Sequence, residues 1–357
     1  MSRSLALAAD LATADLTAGF GRLLGGPPVE MTRLTGGRNS RVYHLISPDG
    51  RVLAGKVYFG PRADGFDRLA VEYQALVFLK DNGVEAVPRP VALDAKAGLA
   101  VYEFCEGRRI APAEIGPADL DQATAFLMGL KSLGRRPEAD RLPPASEACF
   151  SGADIQANLT ARLKRLRAVD GRVAAGELLF DFLDRDLAPA MDLLLGWASA
   201  RFYRQGLDWT ARLDLAHQTL SPSDFGFHNA LRREDGSITW LDFEYFGWDD
   251  PAKMTADFLL HPAMNLDREA GRRFTSAILD GFSEAEDLAF RLETVYPLFG
   301  LKWCLILLNE FVPADLERRD FAAGGVLDAD ETRRRQLDRA ASLLKRILSE
   351  YASFPYA

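Results

Sequence analysis

The stretch Ser223-Asp224-Phe225-Gly226-Phe227-His228-Asn229 sets a carboxylate and a carboxamide five positions apart, just ahead of a short apolar strand. Asp242 ends the next strand, in Trp240-Leu241-Asp242-Phe243-Glu244, and Glu234-Asp235-Gly236 supplies a turn between them. A hairpin of this length is expected to gather one carboxamide and two carboxylates into one small volume. Hard oxygen donors of this kind suit magnesium, which takes one or two ligands from protein and the rest from phosphates and water. Asn229 and Asp242 are the candidate ligands. Asp224 is left to accept a proton from an attacking hydroxyl. The plainer alternative is an Asx-rich turn joining two strands; the residues upstream weigh against it.

Lys56 lies within the apolar run Ala54-Gly55-Lys56-Val57-Tyr58. An inward lysine on a strand needs a carboxylate or a phosphate, because a bare buried charge is costly. Glu72, beside Leu69 and Tyr73 on the following helix, is the expected partner. The turn Thr35-Gly36-Gly37-Arg38-Asn39-Ser40 stands between two strands. Its glycines let backbone N–H groups approach phosphate oxygens closely, which makes Gly36, Gly37, Asn39 and Ser40 candidate phosphate contacts. Singly, the lysine reads better as a solvated edge residue and the turn as an ordinary hairpin with two glycines. In this order, ahead of the Asp–Asn–Asp hairpin, they point to a phosphate and metal site.

The elements that must position these residues follow from periodicity. Residues 3–24 read as a helix, with Leu5, Leu11, Leu16, Phe20 and Leu24 apolar, stopped by Gly25-Gly26-Pro27-Pro28. Residues 29–34, 41–46 and 52–59 read as strands, 66–82 as a helix, and 91–93 with 99–104 as a hairpin. From Gly107 the pattern turns helical over 117–133, 153–168, 176–205, 251–263, 268–282, 286–311 and 330–351. Strands at 229–231 and 239–242 interrupt it. The expected fold is α+β, with a small sheet-rich N-terminal lobe (residues 1–105), a hinge near 103–107 and a larger helical C-terminal lobe (residues 106–357). The chain's 357 residues exceed what one ordinary core holds, which also favours two lobes.

Composition narrows the function. With 48% hydrophobic and 26% charged residues the chain reads as globular. A net charge of −8 argues against a general binder of nucleic acid or anionic membrane. Cys105, Cys149 and Cys304 are widely spaced with no CxxC pair, so neither a zinc site nor a disulfide framework is expected. The N-terminus lacks the continuous apolar centre of a signal peptide, and the apolar stretch near 301–308 is too short for a span. A soluble cytoplasmic protein is the expectation.

The order of glycine turn, strand lysine, helix glutamate, Asp-x-x-x-x-Asn and strand-end Asp resembles protein kinases. The details are more similar to the aminoglycoside phosphotransferase and choline kinase superfamily. The similar segments are Leu34-Thr35-Gly36-Gly37-Arg38-Asn39-Ser40, Val101-Tyr102-Glu103-Phe104 and Leu241-Asp242-Phe243-Glu244-Tyr245-Phe246-Gly247-Trp248-Asp249-Asp250-Pro251. They span about residues 30 to 260. The resemblance implies a two-lobed protein-kinase-like fold that uses ATP and Mg2+. It implies that Lys56 holds the α- and β-phosphates, oriented by Glu72, and that Glu103, Phe104 and Cys105 meet adenine at the hinge. It makes Asp224 the base and Asn229 and Asp242 the metal ligands. One departure stands out. Pro222-Ser223 replaces the family's usual His-Gly ahead of the catalytic Asp, and proline has no side-chain donor to rigidify that loop.

The acceptor implied is a hydroxyl on a small molecule. Asp250-Pro251 and a helix follow Asp242 within about ten residues, which leaves no room for a protein kinase's activation segment. Glu244, Trp248, Trp303 and Glu310 are the acceptor-site candidates, with Tyr245 and Phe311 as further aromatics. A sugar or similar polyhydroxylated metabolite is the leading reading. A cationic acceptor of aminoglycoside or choline type is the alternative, for which Asp249, Asp250, Asp257 and Glu310 offer acidic groups. A nucleotide-binding regulatory module without turnover is a third, supported by Pro222 alone.

Overall fold

The computed structural model describes residues 13–35, 39–60, 65–323 and 328–357. Gly36 and Gly37 of the expected phosphate turn, and residues 3–12 of the expected first helix, lie outside the described residues. The chain divides into two compact units.

The first unit comprises residues 1–109, 229–246 and 317–327. Its helix α1 (Thr13–Leu24) precedes strands β1 (Glu30–Leu34), β2 (Ser40–Ile46) and β3 (Val52–Tyr58). Helix α2 (Arg68–Asp81) and strands β4 (Pro90–Asp94) and β5 (Leu99–Glu103) follow. The strands form one antiparallel sheet in the order β1-β2-β3-β5-β4. Alternation along the central strand β3 decides the site. Leu53 and Val57 join Leu16, Phe20, Tyr43, Leu45, Leu99, Val101 and Phe321 in an apolar core. Between them, Gly55 lets Phe20 and Leu45 close on the strand; a Cβ there would stand 2.7 Å from both. Lys56 and Tyr58 alternate with these residues and meet Glu72 of α2. The Asp67 side chain caps α2, accepting the Ala70 N–H at 3.1 Å.

Strands Ala230–Arg232 and Ile238–Trp240 form the expected hairpin, joined at its edge by the two-residue strand Arg108–Arg109. The Trp240 N–H donates to the Ala86 carbonyl at 2.8 Å, which fastens the hairpin to the turn after α2. Residues 317–323 also belong to this unit. Arg33 and Arg41 each donate at 2.8 Å to the carbonyls of Ala322 and Phe321 respectively. The Arg41 guanidinium lies 4.0 Å over the Phe321 ring.

The second unit is mostly helical: Pro117–Leu133, Gly152–Arg167, Gly176–Phe182, Ala188–Arg204, Pro251–Leu260, Arg268–Gly281, Leu288–Leu307 and Ala329–Glu350. The helix expected over 176–205 is interrupted by a π-helical turn at Leu183–Leu187. Pro251–Leu260 is buried along its whole length and begins at Asp250, whose side chain accepts the Ala252 N–H at 2.8 Å. Pro251 fits the first helical position because its missing N–H has no intrahelical partner there. Thr219–Ser221 and Gly247–Asp249 pair as a two-stranded antiparallel ribbon, which the periodicity did not show. Among the described residues no single helix is long and apolar enough to cross a membrane.

Candidate active site

In the first unit Lys56 Nζ donates to Glu72 Oε2 at 2.6 Å and to Asp242 Oδ1 at 2.8 Å. Register places Lys56 between Val42 of β2 and Ala100 of β5, so it is held mid-sheet. Burial pulls the ammonium down, but Asp242, Glu72 and Glu244 outweigh it and raise its pKa well above the ordinary value. The group stays cationic. Glu72 Oε2 also accepts the Tyr58 hydroxyl at 2.5 Å, and Tyr58 bonds Tyr102 at 2.7 Å. Glu72 Oε1 accepts the Phe243 N–H at 3.3 Å, so the same glutamate fixes both the lysine and the backbone next to Asp242.

Asp242 has φ +66°, the left-handed region that non-glycine residues occupy at a cost of about 1–3 kcal/mol. The Leu241 N–H donates to the Asn229 carbonyl at 2.8 Å, so the hairpin brings Asn229 beside the segment that carries Asp242. Glu244 is wholly buried. Its Oε1 accepts the Asn39 amide at 2.5 Å and lies 3.5 Å from Arg68 Nε, while Oε2 has no partner among the described residues. Burial, then the Asp242 charge, pushes this carboxyl up to about 8. Asn39 also donates to the Tyr245 hydroxyl at 3.1 Å. Glu72, Asp242 and Glu244 each offer a carboxylate oxygen within 4.8 Å of the others. These three oxygen donors, one of them Glu244 with an oxygen unpartnered among the described residues, fit a hard cation such as magnesium.

The remaining first-unit candidates are also placed. Ser40 is buried at the start of β2, opposite Tyr58. The Glu103 N–H donates to the Arg89 carbonyl at 2.9 Å. Phe104 meets the His44 ring edge-on at 4.9 Å between centroids, and burial raises the Cys105 thiol pKa.

In the second unit Asp224 follows a tight turn in which its own N–H bonds the Pro222 carbonyl at 2.9 Å. Ser223 takes φ +66° there, the conformation that glycine adopts without strain. Its N–H donates to Ser221 Oγ at 3.0 Å, and its hydroxyl accepts from Lys253 Nζ at 3.4 Å. His228 Nε2 lies 3.2 Å and His261 Nε2 3.5 Å from the same Asp224 oxygen, Oδ1. Neither histidine was singled out by the sequence. His261 stands 37 residues from Asp224 in no motif, and His228 had read only as a neighbour of Asn229.

Trp303 is buried, its indole N–H donating to Asp257 Oδ1 at 3.0 Å. Trp248 is buried with its N–H on the Ala139 carbonyl at 3.0 Å. Glu310 is fully buried and accepts the Gln336 amide at 3.0 Å.

No protein-family model matches the chain, and no curated protein matches it in sequence. Solved structures do match. A spectinomycin phosphotransferase in complex with ADP and spectinomycin aligns at TM-score 0.61 and 12% identity, over 93% of this chain and 98% of its own. A choline/ethanolamine kinase family protein from Mesorhizobium loti aligns at TM-score 0.59 and 15% identity, over 96% and 100%. An ethanolamine kinase of Plasmodium vivax aligns at 0.57 and 13%, over 89% and 84%. The chain has the fold of these kinases. The antiparallel N-terminal sheet and the helical C-terminal region are the features expected of that kinase-like fold.

Proposed function

We propose that this protein transfers the γ-phosphoryl group of ATP to a hydroxyl of a small molecule. The observation that carries the reading is Lys56, buried mid-sheet and bonded at once to Glu72 and Asp242. A lysine kept cationic at that position is suited to the α- and β-phosphate oxygens, with Glu72 aiming it. Asp242 and Asn229 would hold magnesium, with Glu244 as a further oxygen donor nearby. When bound, the metal would neutralise charge on the phosphates.

Asp224 takes the proton of the acceptor hydroxyl as that oxygen bonds to the γ-phosphorus. The bond from phosphorus to the β-phosphate oxygen breaks, and ADP leaves. The backbone at Glu103, Phe104 and Cys105 would meet adenine, and the turn holding Gly36, Gly37, Asn39 and Ser40 would meet the phosphates.

For the acceptor, an uncharged polyhydroxylated molecule such as a sugar is favoured over a cation. Asp249 and Asp257 are bonded to Lys253 and Lys302, and Asp250 to Arg291. Acidic groups already neutralised by the protein's own cations offer little to an ammonium. Trp303, Trp248 and Glu310, being buried, would shape the walls of an acceptor site rather than its mouth.

The test is a panel of sugars, polyols, amino alcohols and aminoglycosides incubated with MgATP, reading ADP release and phosphomonoester product. Product from at least one hydroxyl acceptor supports the reading. Tight ATP binding with no transfer to any acceptor or to water would favour the regulatory alternative.

A further inference from the structure

We propose that His261, stacked against His228, is a positioning residue that holds the Asp224 carboxylate for proton transfer. The inference rests on Asp224 being the base.

The hydrogen bonds fix the tautomer. His261 Nδ1 accepts the Ala263 N–H at 3.2 Å, so in the neutral ring the proton sits on Nε2. That nitrogen lies 3.5 Å from Asp224 Oδ1, a polar contact longer than a well-formed hydrogen bond. His228 approaches the same oxygen at 3.2 Å, and its buried Nδ1 has no partner among the described residues. An unpartnered donor costs more than an unpartnered acceptor, because a carbonyl- or imine-type lone pair is satisfied more loosely than an N–H. The bare nitrogen is therefore Nδ1, and His228 donates to Asp224 from Nε2. The two rings lie 3.7 Å apart and 3° from parallel, so each limits the other's rotation.

What stands behind His261 is equally fixed. The Trp303 ring meets it edge-on, 4.6 Å between centroids at 83°. Trp303 is tied to Asp257, and Asp257 takes Lys302 at 2.7 Å and Lys253 at 3.2 Å. Lys253 reaches on to Asp249 at 2.6 Å and to the Ser223 hydroxyl at 3.4 Å. One buried ionic cluster thus restrains Asp224 by two routes: its side-chain oxygen through the histidine pair, and its backbone through Ser223. Every residue in the chain of contacts belongs to the second unit. A proton acceptor held in one rotamer within hydrogen-bond reach works better than one that samples several.

Hydrolysis of MgATP with water as acceptor, melting temperature and imidazole nitrogen NMR together test this. His261→Phe keeps ring bulk and removes the donor. His261→Gln restores an N–H close to the Nε2 position. Phe should lower kcat about tenfold with the KM for ATP unchanged, and Gln should recover most of the loss. Equal kcat in wild type, Phe and Gln would overturn the proposal, as would equal losses in Phe and Gln alongside a fallen melting temperature. If the Phe variant does not fold, the same pair at His228 carries the comparison.

The NMR readout does not depend on turnover. Wild type should show His261 protonated at Nε2, with both histidine signals moving in Asp224→Asn; an Nδ1-protonated His261 would contradict the proposal. Unchanged turnover in Asp224→Asn would sink the base assignment itself, which is a different failure from an unaffected His261→Phe.

Discussion

Lys56 Nζ stands 2.8 Å from Asp242 Oδ1, although 186 positions separate the two residues in the chain. The hairpin 229–246 folds back on the first unit and delivers Asp242 to a lysine whose position was set by β3. Glu72 completes the arrangement by bonding the lysine with one oxygen and the Phe243 N–H with the other.

Because Lys56 and Glu72 are both buried, their substitutions should not add. Removing one partner leaves the other charged and unpaired, whereas removing both leaves neither. Thermal or urea unfolding of Lys56→Met, Glu72→Gln and the double variant should show the double less destabilised than the sum by about 1–3 kcal/mol. Strict additivity would mean that the two groups do not stabilise one another.

Asp242→Ala should abolish the magnesium dependence of nucleotide binding. The carboxylate is the donor that would link metal to phosphate oxygens. Calorimetric titration with ATP, with and without magnesium, reads this directly. A variant that keeps the full magnesium effect would leave Asp242 a structural partner of Lys56 only.

Asp249 gives a pH prediction. Burial raises its carboxyl to about 6, more than the Lys253 charge lowers it. The folded state therefore holds this proton at pH values where the unfolded chain has released it. Its contribution to stability is complete below the ordinary carboxylate value near 4 and is lost as pH rises through about 6. The decline should be on the order of 1–3 kcal/mol. Asp249→Asn should flatten that part of the stability–pH curve; an unchanged slope would assign it to another group.

Trp303→Ala removes a buried indole from between His261 and Asp257 and should cost about 3–5 kcal/mol of stability. Melting temperature should fall while ATP affinity is unaltered, since the residue sits in the second unit. An unshifted melting temperature with weaker acceptor use would instead make Trp303 a contact residue.

Much of this was legible before the fold. Lys56 was readable because a lysine inside an apolar β-period run must have a partner, and Glu72 lay on the adjoining helix. The hairpin Ala230–Arg232 with Ile238–Trp240 was readable from its Glu-Asp-Gly turn. His261 was not, because it reaches Asp224 through the tertiary placement of a helix end, which no local period encodes. The ribbon Thr219–Ser221 with Gly247–Asp249 escaped because three-residue strands are too short to show alternation. The assignment of residues 317–323 to the first unit depends on Arg33 and Arg41 reaching carbonyls some 280 residues away, a contact that pattern cannot foresee.

The central claim is phosphoryl transfer with Asp224 as the base. Its most direct test is turnover of MgATP by wild type and Asp224→Asn, with ATP affinity measured on both. Wild type should release ADP in a magnesium-dependent reaction, and Asp224→Asn should bind ATP as well while turning over about a hundredfold more slowly or worse. Equal turnover in the two proteins would contradict the account.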